Sequence, residues 1–352
     1  MDVPKRVCVV GAGSWGTVIG KMAAGKAGAG EQQFESQVRM WAFEEMVDGR
    51  RLSEIINQEH ENIRYLPGHS LPHNLVVFPD LLEASRGADI LIFAVPQPFI
   101  GEICNRLKGH VKPGAIGVSL IKGFGRGPEG LKLLSDVIGE ELGIEVSVLT
   151  GANLAQEVAA GTFCESTLGC RNQDHANIVK SLLQTSHFHV SVVSDLCAVQ
   201  LCGALKHVVA LGAGLCDGLR LGGNTKAAAV RLGLMEIIGF VRIFSPSSPA
   251  DTGTFFHSCG VADLIASCYA GRNRRLAEAF VVSGQSVAEL EKELMNGQKV
   301  EGPNTASELN HYLKSKHLVD QFPLFTAVHQ ILFEGKPVSD FISYLQKHPE
   351  HM

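Results

Sequence analysis

The chain has no excess of positive charge, no paired-cysteine motif and no long apolar run. Across 352 residues, Lys plus Arg number 31 and Asp plus Glu 36, a formal net charge of −5. A polyanion gains nothing from such a balance, so nucleic acid is not an expected partner. Nine cysteines are an odd number, no two stand in a C-x-x-C spacing, and no Cys/His pair has zinc-ligand spacing. No metal site is expected. Cys8, Cys202 and Cys268 sit in apolar company and read as small buried hydrophobes. The segment Ala88 to Val95 is typical of the longest apolar runs, well short of the roughly 18 residues of a membrane span. Met1 to Lys5 leads straight into a strand-like segment, and the closing His-Pro-Glu-His-Met matches no retention or lipidation signal. A reduced, cytoplasmic protein is expected.

Hydrophobic residues make up 45% of the chain and charged residues 19%, the profile of a globular protein. Its length points to two domains. In the first half, short Val/Ile/Leu runs alternate with helical stretches. The runs are 6–10, 38–43, 75–78, 89–95, 115–121, 146–150 and 188–193; the helical stretches are 17–26, 52–57, 130–142 and 175–184. Near-continuous apolar strands between helices require a parallel sheet covered on both faces. After Ser194 the pattern is helical, with long stretches at 196–219 and 225–243 and shorter ones at 276–282, 287–295, 305–314 and 322–334. The Pro/Ser cluster at 245–250 reads as an exposed connection. The expected architecture is an α/β, doubly wound, Rossmann-like parallel-sheet domain over 1–193, then an all-helical domain over 194–352.

Val7-Cys-Val-Val10 runs directly into Gly11-Ala12-Gly13-Ser14-Trp15-Gly16 and a helical segment. A G-x-G-x-x-G following the first strand and opening a helix is a dinucleotide fingerprint. Gly11 allows the tight turn, Gly13 the approach of the pyrophosphate, and Gly16 close helix–strand packing. The helix start then offers free N–H groups and a positive dipole end to the phosphates. The second strand is followed by Phe43-Glu44-Glu45 with no Arg, which favours NAD over NADP. Glu44 could equally open the next helix. Phe43 would lie against adenine or end the strand in the core. The Pro-broken turn Pro96-Gln-Pro-Phe99 falls where a strand end would face the ligand crevice.

Two lysines stand in costly places. Lys122 follows the apolar run ending at Ile121, at the mouth of that crevice. Lys206 has Cys202, Gly203, Val209 and Ala210 as its helical face neighbours. With none charged, burial would depress its pKa unless an acid compensates, and the small neighbours leave a slot suited to proton donation to a carbonyl oxygen. Snorkelling to solvent is the plain alternative. Asp263 and Ser267, four apart on one helix face, offer the compensating acid and a hydroxyl, although Asp263 could serve only as an N-cap. Arg272-Asn273-Arg274-Arg275 before another helix suits either a phosphate site or a solvated basic turn.

Taken together, these motifs resemble the cytosolic NAD-dependent sn-glycerol-3-phosphate dehydrogenases of animals. The likeness also takes in Trp41–Glu45, His60-Glu-Asn, Tyr65-Leu-Pro-Gly-His69, Ser119–Gly123, Gly151-Ala-Asn153, Cys202–Lys206, Asn224-Thr-Lys226 and His348–His351, and so nearly the whole chain. The resemblance implies reversible reduction of dihydroxyacetone phosphate by NADH in a homodimer. It makes Lys206 the acid/base, flanked by Asp263 and Ser267. Lys122 would bind substrate, and Arg272 with Asn273 its phosphate. Gly11 to Gly16, Phe43, Phe99, Ala155, Arg272, Lys299 and Glu301 would hold the cofactor.

Four positions depart from the family pattern. Ser267 stands for Thr, His207 for the Asn after the catalytic lysine, Gly223 for Asp, and Glu301 for Gln. The histidine puts one active-site hydrogen bond in question. A carboxylate at 301, near the pyrophosphate, is expected to weaken NADH binding unless Lys299 or Arg272 neutralises it. Two other readings remain open on sequence: a lysine-dependent β-hydroxyacid reductase, whose substrate carboxylate an arginine would also bind, and a weakly catalytic NAD-binding regulator.

Overall fold

In a computed structural model of the protein, residues 3–30, 32–127, 130–245, 251–294 and 299–351 are described. The chain divides into two compact units, Met1–Ile121 with Leu133–Leu196, and Lys122–Lys132 with Cys197–Met352.

The first unit is built on an eight-stranded sheet. Its strands are β1 (Lys5–Val10), β2 (Phe34–Trp41), β3 (Leu75–Phe78), β4 (Ile90–Phe93), β5 (Ile116–Ser119), β6 (Glu145–Thr150), β7 (Cys164–Gly169) and β8 (Phe188–Val193). Their order across the sheet is β8-β7-β6-β5-β4-β1-β2-β3. Six neighbouring pairs run parallel; β6 and β7 run antiparallel. Seven strands fall where apolar runs were read. The one not anticipated, β7, has the sequence Cys-Glu-Ser-Thr-Leu-Gly, too polar to register as a buried strand.

The central strands are buried along their length, Ile90 to Phe93 completely, because helices cover both faces. One core joins Val7, Val9, Ile90 and Ile92 to residues of α1 (Ser14–Gly28) and α7 (Gln173–Leu183). The other joins Cys8, Val10, Leu91 and Phe93 to Ile100, Ile103 and Leu107 of the helix Ile100–Leu107 and to Leu134 and Ile138 of Leu134–Leu142. Residues alternating along β1 thus serve opposite layers, the period-two consequence of the pleat. From β1 the chain winds outward to β3, then returns to β4 on the other side of β1. That reversal is the topological switch point at which such sheets take ligands.

Among the described residues, the second unit is helical apart from one hairpin, Phe124–Gly127 with Gly130–Leu133, whose last residue falls in the first unit. The sequence pattern had put residues 130–133 in a helix; the helix begins only at Leu134. Helix α8 (Leu196–Gly218) is central, flanked in sequence by α9 (Gly222–Phe244). At 23 residues and a mean hydropathy of 1.6, α8 has the length and apolarity of a membrane span, contrary to the expectation that no run approached one. Its residues are buried inside the protein, which makes it a core helix. A Cβ on Gly214 would fall 2.2 Å from the Arg274 carbonyl oxygen. Only glycine lets α11 (Arg272–Ser283) lie that close to α8. The Pro/Ser segment at 246–250 lies outside the described residues, as does Met295, to which one helix was expected to reach.

Candidate active site

In the first unit, the turn between β1 and α1 is held from several sides. Gly11 has φ +119°, and a Cβ there would sit 2.8 Å from the Ala94 carbonyl oxygen. A Cβ on Gly16 would sit 2.0 Å from the Gly11 oxygen. Both glycines are therefore consumed by packing the turn against the end of β4. The Ala12 carbonyl accepts from Asn62 Nδ2 at 2.9 Å and Thr17 Oγ1 at 3.2 Å. Asn62 is fully buried and also donates to Thr17 Oγ1. Sequence reading had no separate signal for this pin beyond the His60-Glu-Asn triplet.

Gly13 differs from its neighbours: a Cβ on it would meet nothing within 4 Å. It is the N-cap of α1 and leaves the first N–H groups without a side-chain cap, and the first turn carries no acid. An open, uncapped, positive helix end at the switch point fits the pyrophosphate of a dinucleotide. Ser14 Oγ is committed to the Tyr65 carbonyl at 2.6 Å. The Trp15 ring packs on the core beside Phe188, so these two residues offer a ligand chiefly their backbone. Phe43 and Phe99, just past β2 and β4, are 71% and 55% exposed, far from the core role that was the alternative for Phe43. Ala155 opens the helix Ala155–Ala159. Glu44 accepts from Ser53 N and Oγ, so the acid after β2 serves the start of the helix Leu52–Glu59.

In the second unit, Lys206 lies on α8 and is buried at 5% exposure. It does not snorkel. Its ammonium donates to Asp263 Oδ1 and, at 2.8 Å, to Ser267 Oγ. Lys122 donates to the other carboxylate oxygen, Oδ2, at 2.9 Å. Asp263 is the first residue of α10 (Asp263–Ala270) and is itself buried, with a π-turn, Ser258–Ala262, leading into it. Its side chain caps no helix; it is shared by two ammonium groups. Burial lowers the Lys206 pKa to about 8, Asp263 working against that shift and Lys122 with it. An amine so poised is near the optimum for moving a proton at neutral pH.

Beside this group, Asn273 on α11 is buried. Its Oδ1 accepts from Gly302 N at 2.9 Å and its Nδ2 faces His207 Nδ1 at 3.0 Å. Arg272 is half exposed and meets Glu301, both standing at the first residue of their helices, α11 and α13 (Glu301–Ser315). Arg274 leaves this group, binding Asp217 at 2.5 Å and Glu278 at 3.0 Å. Lys299 is exposed and pairs with the buried Glu291, which also accepts from Val300 N. Sequence reading missed Glu291, since a lone Glu in a polar helix gives no sign of burial. The first turn of α9 carries no acidic residue, as Gly223 in place of Asp implied. Among the described residues, no cluster of three or more His, Cys, Asp or Glu side chains is arranged to hold a metal.

A dinucleotide turn in one unit and a buried, acid-paired lysine on a helical unit define a nicotinamide-dependent oxidoreductase built in two parts. Two family models match the chain: the N-terminal part of NAD-dependent glycerol-3-phosphate dehydrogenase over residues 6–176 and the C-terminal part over 195–343. The chain is 57% identical over 348 residues to the cytoplasmic NAD(+) glycerol-3-phosphate dehydrogenase of Homo sapiens, covering 99% of both chains. It is 56% identical to a glycerol-3-phosphate dehydrogenase 1-like protein of Danio rerio over the whole of both. The solved glycerol-3-phosphate dehydrogenase of Saccharomyces cerevisiae superposes with a TM-score of 0.90 at 42% identity, covering 98% of this chain and 100% of that one. The chain belongs to the NAD-dependent glycerol-3-phosphate dehydrogenase family.

Proposed function

We propose that the protein is a cytoplasmic, homodimeric enzyme that reversibly reduces dihydroxyacetone phosphate to sn-glycerol 3-phosphate. The Gly11–Gly16 turn, Phe43, Phe99 and Ala155 would hold NADH, with Arg272, Lys299 and Glu301 assigned to it by the family resemblance, and the cofactor would supply a hydride for C2. Lys206 donates its proton to the C2 oxygen as that oxygen gains negative charge, and the carbonyl becomes an alcohol. Asp263 keeps the buried ammonium charged until transfer, and the Ser267 hydroxyl fixes its direction. Lys122 adds a second positive charge facing the substrate, stabilising the developing alkoxide. Arg272 and Asn273 take the phosphate. In the reverse direction the neutral Lys206 amine accepts the hydroxyl proton.

The observation that carries this reading is Lys206: an ammonium group buried, lowered to about 8 and tied to Asp263 and Ser267. A purely structural lysine gains nothing from such a site, because desolvation opposes its charge. The test follows NADH oxidation with dihydroxyacetone phosphate, with a panel of 2- and 3-oxoacids, and with NADPH in place of NADH. Turnover confined to the phosphorylated ketone and NADH is expected. Lys206→Met should lower kcat by a factor of about 10² to 10⁴ and leave NADH affinity unchanged. Preference for an oxoacid, or cofactor binding without turnover, would overturn the reading.

A further inference from the structure

His207 follows Lys206 on α8 and is 8% exposed. Its protonation can be worked out from its neighbours. The backbone N–H of Gly302 can only donate, so the Asn273 amide must turn its oxygen there, 2.9 Å away. That leaves Asn273 Nδ2 facing His207 Nδ1 at 3.0 Å. A donor facing a ring nitrogen requires a lone pair on it. His207 is therefore neutral and carries its hydrogen on Nε2, which has no hydrogen-bond partner among the described residues. Burial first, then the charges of Lys206, Lys122 and Arg272, hold the imidazole pKa well below 6.5.

The hydrogen bonds form one line through three helices. Gly302 and Glu301 open α13; Asn273 and Arg272 open α11; His207 adjoins Lys206 on α8. We propose that His207 is a positioning residue, whose Nδ1 lone pair fixes the Asn273 amide and thereby sets the phosphate-binding start of α11 against the turn of α8 that carries Lys206. The inference rests on the dehydrogenase reading above and extends it. It also settles the hydrogen bond that the histidine put in question. Asn Oδ1 and His Nδ1 are each two bonds beyond Cβ, so both side chains present an acceptor at the same place. His207 keeps the acceptor an Asn would supply.

Removing that acceptor leaves Asn273 Nδ2 buried opposite an apolar group. The amide then turns or shifts, and the phosphate end of the substrate moves relative to the proton donor. A misplacement of about 1 Å costs on the order of 10²-fold in rate.

The test compares His207→Leu, which removes the acceptor, with His207→Asn, which restores it. For His207→Leu, kcat/KM for dihydroxyacetone phosphate should fall by roughly 10- to 100-fold with the NADH dissociation constant unchanged. His207→Asn should recover most of that loss. The kcat/KM profiles of the parent and of His207→Asn should also have the same shape between about pH 6 and 8. The charges that act on the ring are Lys206, Lys122 and Arg272, with Asp263 paired to both lysines, and all are present in both proteins. Equal damage in the two variants would overturn the proposal, as would no damage in either. A fall in thermal stability with unchanged kinetic constants per folded molecule would make His207 merely structural and also overturn it. Failure of the unmodified protein to reduce dihydroxyacetone phosphate would instead sink the underlying reading, so the two failures are distinguishable.

Discussion

Arg272 aims a single guanidinium nitrogen at both oxygens of the Glu301 carboxylate, at 3.2 and 3.4 Å. The arginine proposed for phosphate binding is thus already engaged by an acid of its own chain. If Arg272 takes the substrate phosphate and Glu301 lies by the cofactor as proposed, an incoming phosphate must compete with that carboxylate and the cofactor meets its charge. Both side chains are nearly half exposed, 47% and 42%, and pairs of that kind are worth about 0.2–1 kcal/mol. Glu301→Gln is accordingly predicted to tighten NADH binding by about 1.5- to 5-fold. Fluorescence titration at low and high salt checks it, the gain shrinking as salt screens the pair. Unchanged affinity in the Gln variant would remove Glu301 from the cofactor's surroundings, and weaker binding would show that its carboxylate favours the cofactor rather than opposing it.

With Lys206 as the proposed proton donor, its ammonium is predicted to govern how rate follows pH. Ketone reduction needs the lysine protonated, so kcat/KM for dihydroxyacetone phosphate should be highest below about pH 8 and fall as pH rises through it. Alcohol oxidation needs the neutral amine and should rise through the same range. Burial is the leading cause of the lowered value, and Asp263 opposes it. Asp263→Asn removes that opposition, so the falling limb for reduction should move to lower pH. Initial rates in both directions across pH 6.5 to 10 test this. A limb that stays in place in Asp263→Asn would show that another group governs the profile.

A second buried acid concerns stability. Glu236 on α9 accepts from Leu324 N at 2.6 Å and Phe325 N at 2.9 Å, the opening turn of the helix Pro323–Phe333. His348 Nε2 lies 3.1 Å from the same carboxylate, and His348 Nδ1 accepts from Glu350 N. Since Nδ1 accepts, Nε2 carries the hydrogen and donates to Glu236. Glu236→Ala strands two backbone N–H groups, a helix dipole end and the histidine. Loss of a buried acid's network of this kind costs about 3–5 kcal/mol. Urea unfolding measures it, and a change under about 1 kcal/mol would mean the carboxylate is idle.

The Glu236–His348 clasp also marks how far the sequence could be read. The closing His348–His351 motif stood out, but nothing near it named a partner 112 residues away. The same holds for Lys122, singled out for its place after a strand and found on Asp263 across 141 residues. Lys206 with Asp263 and Ser267 was legible because helical spacing put acid and hydroxyl on one face, and because an uncompensated buried lysine demands an acid. Strand β7 was not, its polar residues giving no apolar run. Helix α8 was legible as a helix over 196–219, but not its membrane-like apolarity, since Lys206 and His207 interrupt the stretch.

Gly13 and Gly16 have the same local chemistry and opposite prospects, which gives the sharpest test of the dinucleotide site. A methyl group at Gly16 would meet the Gly11 carbonyl oxygen at 2.0 Å, a distance no side-chain carbon tolerates. The backbone of the turn must then move, in a layer where Thr17 and Val18 are fully buried. Gly16→Ala is therefore predicted to lose thermal stability and cofactor binding together, with overpacking costs of about 1–3 kcal/mol or more. At Gly13 a methyl meets nothing within 4 Å, and its backbone lies at φ −66°, open to any residue. Gly13→Ala should fold and melt as the parent does. If the pyrophosphate occupies that open space, the methyl stands where the phosphate oxygens approach the N–H groups of α1. NADH affinity should then fall by at least about tenfold, since more than one charge-assisted hydrogen bond, each worth about 1.5–3 kcal/mol, would lengthen. Differential scanning calorimetry paired with NADH titration separates the two variants. Normal affinity in a well-folded Gly13→Ala would place the cofactor phosphates elsewhere.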